Sequence, residues 1–113
     1  MNSQGSSTDS GNPATPILIQ APKGIPPDML AGYLSRSRSS IHNLNAALQR
    51  GELESVRVFG HRLKGSGGAY GIPELSEIGR KIEYAARSED SAELQNLAVA
   101  LESYVSRLEA RWE

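Results

Sequence analysis

The chain has 113 residues, enough for one small domain and a tail, and its 12 basic and 13 acidic residues leave a formal net charge of −1. No general field therefore draws it to nucleic acid or to an anionic membrane. With no cysteine, it has neither disulfides nor thiolate metal sites, which fits a reducing, cytoplasmic setting. No apolar run is long enough to span a membrane, and the N-terminus lacks both the basic start and the apolar core of a signal peptide.

Residues 1–16, MNSQGSSTDSGNPATP, have almost nothing to bury and are expected to form a disordered tail ahead of a domain over 17–113. Ile17-Leu18-Ile19 is a brief apolar clip expected to lie extended against that domain. Pro22, Gly24, Pro26 and Pro27 then exclude regular structure up to the first helix. Pro27 suits a first helical turn, and Asp28 suits its positive end. Met29, Leu30, Tyr33 and Leu34 form a short apolar face, and Leu34, Ile41, Leu44 and Leu48 carry a stripe on toward Arg50. Serines at 35, 37, 39 and 40 weaken the middle. One helix and two helices meeting near Ser35 both remain open, and the expectation adopted is a short extra helical segment ahead of the bundle. Gly51 is the expected C-cap.

The next stretch, Glu52 to Gly71, reads ELESVRVFGHRLKGSGGAYG. At ~100° per residue, Val56, Phe59, Gly60, Leu63, Ser66, Gly67 and Tyr70 fall within about 60° of Leu63 and form one stripe with small gaps. Glu54, Arg57, Val58, His61, Lys64, Gly65 and Gly68 fall on the other side. His61 is then on the solvent face with Lys64 at i+3, and Gly65 and Gly68 leave its surroundings uncovered. Each helical glycine costs about 1 kcal/mol against alanine. Gly60 and Gly67 face inward, where a neighbouring helix can come close; Gly65 and Gly68 face outward, where a partner can. The alternative, that GSGGAYG is a loop ending a shorter helix, has to ignore that Leu63, Gly67 and Tyr70 continue the stripe. A basic side chain beside an exposed, uncrowded imidazole is a layout suited to a phosphoryl group.

Gly71-Ile72 is the expected exit and Pro73 the start of the next helix, whose stripe is Leu75, Ile78, Gly79, Ile82, Ala85 and Ala86. Ser88 to Ser91 is a polar turn and cap. The last helix is predicted from Ser91 to Trp112, burying Leu94, Leu97, Ala98, Leu101, Val105 and Leu108. No segment has the period-2 alternation of a strand. The expected fold is all-α, an up-and-down antiparallel four-helix bundle with a short extra N-terminal helical segment. Tyr70, Tyr84, Tyr104 and Trp112 read as core or core-edge residues, not as a stacking platform for nucleic acid.

His61-Arg62-Leu63-Lys64-Gly65-Ser66, Gly67-Gly68 and Gly71, with Leu75 and Ile82-Glu83 downstream, resemble the histidine-containing phosphotransfer (HPt) domain over roughly Ile25 to Trp112. The family motif is H-x-x-K-G with a further glycine ten residues after the histidine and an amphipathic helix ending near Leu/Ile-Glu. Gly60 and Gly79 depart from it, standing where alanine or a larger small residue is more usual. The resemblance implies that His61 accepts a phosphoryl group from the receiver domain of a hybrid sensor kinase and passes it to a response-regulator receiver. It implies that Lys64 neutralises the phosphoryl oxygens and that the receiver domains bring Mg²⁺. Arg57, Val58, Arg62, Gly65 and Gly68 are the candidate partner-binding residues. Met29, Leu30 and Tyr33 either extend that patch or belong to the core.

Several other activities fit less well. A G-x-G-x-x-G begun at Gly65 fails at Tyr70, and no G-x-x-x-x-G-K-[ST] is present, so the chain is expected to be a phosphoryl carrier without an ATP site, not an autonomous kinase. Two histidines without an H-x-x-x-H pair argue against a metal site, and His42 has no basic or glycine companion. The chain starts at Met1, reads as a free-standing protein and is expected to be a monomer, which disfavours a dimeric kinase dimerisation domain. A non-phosphorylated helical module that binds receiver domains is the main alternative.

Overall fold

The structure is a computed structural model that describes residues 15–111. Residues 1–14 of the expected 1–16 tail, and Trp112 at the other end, lie outside the described residues. In chain order the elements are β1 (Ile17–Gln20), α1 (Pro27–Arg50), α2 (Leu53–Ala69), α3 (Pro73–Arg87), α4 (Ser91–Arg107) and β2 (Leu108–Arg111). The four helices enclose a core that includes Leu30, Leu34 and Leu44 of α1, Val56 and Leu63 of α2, Leu75 and Ile82 of α3, and Leu94 and Leu101 of α4. Each such side chain, taken fully out of water, contributes roughly 1.5–3 kcal/mol.

Two helix boundaries follow directly from local chemistry. Gly51 ends α1 in the left-handed region at φ 69°, and its N–H reaches back to the carbonyls of Ala47 and Leu48. Asp90 caps α4, its side chain accepting from the N–H of Glu93 at 3.1 Å.

Of the two readings left open near Ser35 the single helix is observed, and among the described residues no separate N-terminal helical segment precedes the bundle. Pro27 to Arg50 is one helix of 24 residues. Ser37, which is buried, donates to the carbonyl of Tyr33 at 2.9 Å, and Ser40 to that of Ser37 at 2.8 Å. These serines satisfy their hydroxyls on the helix itself and do not interrupt it.

The chain is also not purely helical. Ile17–Gln20 pairs in parallel with Leu108–Arg111, with Ile17 opposite Leu108. The apolar clip is extended, as expected, but α4 stops at Arg107 and does not run on to Trp112. Leu108 turns to φ −73°, ψ 132°, which keeps its side chain fully buried by a strand geometry instead of the predicted helical one. From α1, Arg38 donates to the carbonyls of Val105 and Leu108, taking up groups that a continuing helix would have bonded. Tyr84 corrects a further expectation. It is 69% exposed, because it falls outside the stripe of α3, whereas Tyr70 is half-buried and stacks on Tyr33 with ring centroids 4.1 Å apart.

Packing between helices is uneven. α2 lies closest to α3, because Gly60 and Gly67 on α2 and Gly79 on α3 are buried at their junction. α1 and α2 splay apart and leave between them a groove of ≈ 770 Å³. No described helix is long and apolar enough to cross a membrane.

Candidate functional site

The residues of α2 fall on the faces that their spacing predicts. Gly60 and Gly67 are buried, Gly65 and Gly68 are exposed, and the helix continues through GSGGA. The loop alternative is therefore excluded. An added Cβ at Gly65 would meet nothing within 4 Å, and one at Gly68 only Ser76 Oγ at 3.9 Å. The surface beside His61 is consequently bare, while the imidazole itself is 62% exposed.

The site is built around a residue that the α2 pattern alone does not disclose. Glu83 projects from the stripe of α3 next to Ile82, and its side chain is 6% exposed. One oxygen, Oε1, accepts from Lys64 Nζ at 3.0 Å. The other, Oε2, lies 3.2 Å from His61 Nδ1 and 3.1 Å from the Arg87 guanidinium. Arg57 stands 4.0 Å from the same oxygen and is itself held by Glu54 at 3.0 and 2.6 Å. A carboxylate taken out of water is tolerated only when charged partners surround it. Here the Lys64 hydrogen bond, followed by those from His61 and by the Lys64 and Arg87 charges, holds the Glu83 carboxyl below the usual carboxylate range, although burial pushes it up.

This arrangement selects a tautomer. A carboxylate can only accept, so the imidazole nitrogen facing it, Nδ1, carries the proton. In the neutral ring Nε2 is then left with its lone pair, and among the described residues nothing hydrogen-bonds to it. Lys64 is fixed at its backbone as well, since Ser76 of α3 donates to its carbonyl at 2.8 Å.

The sequence candidates divide into two sets. His61, Lys64 and Arg57 converge on Glu83. Val58 and Arg62 instead line the groove between α1 and α2, together with Arg36, Ser40 and Phe59. Of the apolar residues considered for a docking patch, Leu30 and Tyr33 are core, and Met29 is 50% exposed. Tyr33 also hydrogen-bonds Ser66 across the two helices at 2.6 Å. His42 is exposed on α1. Among the described residues no group of three or more His, Asp or Glu is placed to hold a metal. Arg87 carried no signal of its own beyond its i+4 spacing from Glu83, and Glu83 entered only through the family resemblance, as part of Ile82-Glu83.

A family model of the Hpt domain matches residues 28–111. Comparison with curated proteins and with solved structures finds no match in either.

Proposed function

This chain belongs to the Hpt domain family, whose members carry out histidine phosphotransfer in phosphorelay signalling through receiver domains; on that premise we propose that His61 is the residue that carries the phosphoryl group. The observation that supports it most is the bond between His61 Nδ1 and Glu83 Oε2 at 3.2 Å, which leaves Nε2 unprotonated on the open side of the helix.

The transfer needs little machinery. The Nε2 lone pair attacks phosphorus, in line with the bond to the receiver's aspartate. An N–P bond forms as the acyl-phosphate P–O bond breaks, and the aspartate leaves as a carboxylate. No proton has to be removed, because Nδ1 keeps its own, and the imidazolium so formed lies against the Glu83 carboxylate. Return transfer to a second receiver reverses these steps. Phosphoryl transfer of this kind depends on positioning and charge neutralisation. Lys64 supplies the cation nearest the incoming oxygens, with Arg87 and Arg57 adjacent. Mg²⁺ belongs to the receiver in this scheme.

In the proposed relay, the donor is the receiver aspartate of a hybrid sensor kinase, and the acceptor is that of a response regulator. The chain acts as a cytoplasmic, monomeric carrier and takes its phosphate only from such a partner. Gly65 and Gly68 let the partner backbone approach the imidazole, and Arg57, Val58 and Arg62 form the flanking contacts. The test is to incubate the chain with a phosphorylated receiver domain and to examine the product by ³¹P NMR. Phosphate on the Nε2 position of a histidine is the expected result; binding of the receiver without any phosphohistidine would leave an interaction module instead.

A further inference from the structure

Gly60 immediately precedes His61, and Gly79 lies one turn before Glu83; the two glycines face each other where α2 crosses α3. A Cβ at Gly60 would lie 2.6 Å from the Glu83 nitrogen and 2.8 Å from the Gly79 carbonyl oxygen. A Cβ at Gly79 would meet the Lys64 nitrogen and, at 2.7 Å, the Gly60 carbonyl oxygen. These four, the two nearest obstacles at each glycine, are backbone atoms, which cannot step aside as a flexible side chain can. Two of them belong to Glu83 and Lys64 of the ion-pair cluster, and the other two to the opposing glycine. Glycine weakens a helix interior, and here each helix has one at the same crossing, directly beneath the His61–Glu83 bond.

Separation of the helices decides whether that bond exists. Carbon atoms pack comfortably at about 3.5–4.0 Å, so a methyl group at either glycine would force α2 and α3 apart by about 1 Å. The Glu83–His61 distance is 3.2 Å, and an extra ångström would take it out of hydrogen-bonding range. We propose that the Gly60–Gly79 backbone contact is a positioning device for His61: it holds α3 at the separation where a buried glutamate reaches Nδ1 and keeps Nε2 free. Gly60 and Gly79 are positioning residues that act through Glu83. The consequence for phosphotransfer rests on His61 being the acceptor, whereas the consequence for the tautomer does not.

The experiment combines ring ¹⁵N NMR of the histidines with transfer from a phosphorylated receiver. In the wild type, neutral His61 is expected as the Nδ1–H tautomer. Gly79→Ala should convert it to a mixture of tautomers and slow transfer by about 10–100-fold, the loss typical when a carboxylate that orients a metal-ligating histidine is removed. Leu101→Ala, a buried change on α4, should lower the melting temperature without altering the tautomer or the transfer rate. Glu83→Asp draws the carboxylate back by one methylene while leaving both glycines intact, so it should reproduce the tautomer change even if Gly79→Ala does not fold. Retention of the Nδ1–H tautomer in Glu83→Asp or in folded Gly79→Ala would overturn the proposal, as would the same tautomer change in Leu101→Ala. Tautomer shifts as expected, with no transfer to the wild type from any receiver, would uphold the positioning device and reject the phosphoacceptor role.

Discussion

His61 Nδ1 and Glu83 Oε2 are 3.2 Å apart across the α2–α3 junction, joining an imidazole that is 62% exposed to a carboxylate that is 6% exposed. The exposed partner is open to solvent, and the buried partner is held in place by the helix that carries it. The same carboxylate engages Lys64, so one residue of α3 orients both of the α2 residues that the H-x-x-K spacing singles out.

Glu83→Gln should therefore act at two levels. An amide in place of the carboxylate leaves Lys64 and Arg87 without their counter-charge, and transfer should slow by about 10–100-fold. Stability should change in a pH-dependent way. The Glu83 carboxyl is held below its ordinary value, first by the Lys64 hydrogen bond and then by that from His61. Its contribution is thus fully present above the unfolded value of about 4.3 and is lost as pH falls through the depressed folded value. Denaturant unfolding at pH 7 should show the variant to be less stable than the wild type, and the gap should close progressively below about pH 4.

Gly68→Gln separates the fold from the approach to the site. Replacing a helical glycine gains up to about 1 kcal/mol of helix propensity, and there is open space around the position. The variant should melt no lower than the wild type, yet it should transfer several-fold more slowly because its side chain covers the path to the imidazole. Unimpaired transfer would show that the partner does not approach over this face.

Arg38→Ala should loosen the junction between α4 and β2. It removes the donors to the carbonyls of Val105 and Leu108, at a cost of about 1–3 kcal/mol for charged hydrogen bonds lost at a partly buried site. Hydrogen exchange should speed up across Ile17–Gln20 and Leu108–Arg111, while the amides of α2 and α3 keep their protection.

Much of the helical layout was legible because a 3.6-residue period is a long-range signal. The stripes through Val56, Leu63 and Gly67, and through Leu75, Gly79 and Ile82, each repeat over several turns, and Gly51 and Asp90 mark ends by known chemistry. The extended course of Ile17-Leu18-Ile19 was legible, but the second strand and the pairing of the two were not. Four residues are too few to establish a period of two, and Leu-Glu-Ala-Arg is composed of good helix formers; their pairing depends on contacts between residues more than 80 positions apart in sequence, as with Arg107 Nε and the Thr15 carbonyl, 92 residues distant. The exposed half of the site, His61 with Lys64 and the outward glycines, could be read from one helix. Glu83 entered the resemblance as part of Ile82-Glu83, but its contacts could not be read, because a glutamate inside an apolar stripe is informative only once the neighbouring helix shows which cations surround it. Gly60 was legible as room for a neighbouring helix, but that Gly79 is the residue opposite it could not be read from either helix taken separately.

The most direct measurement is phosphoryl transfer from a panel of labelled, phosphorylated receiver domains to the wild type, His61→Gln and His42→Gln. The account predicts an acid-labile label on the wild type and on His42→Gln and none on His61→Gln, with helical circular dichroism and melting temperature almost unchanged in all three. Label retained by His61→Gln, or binding of receivers without transfer to the wild type, would contradict it.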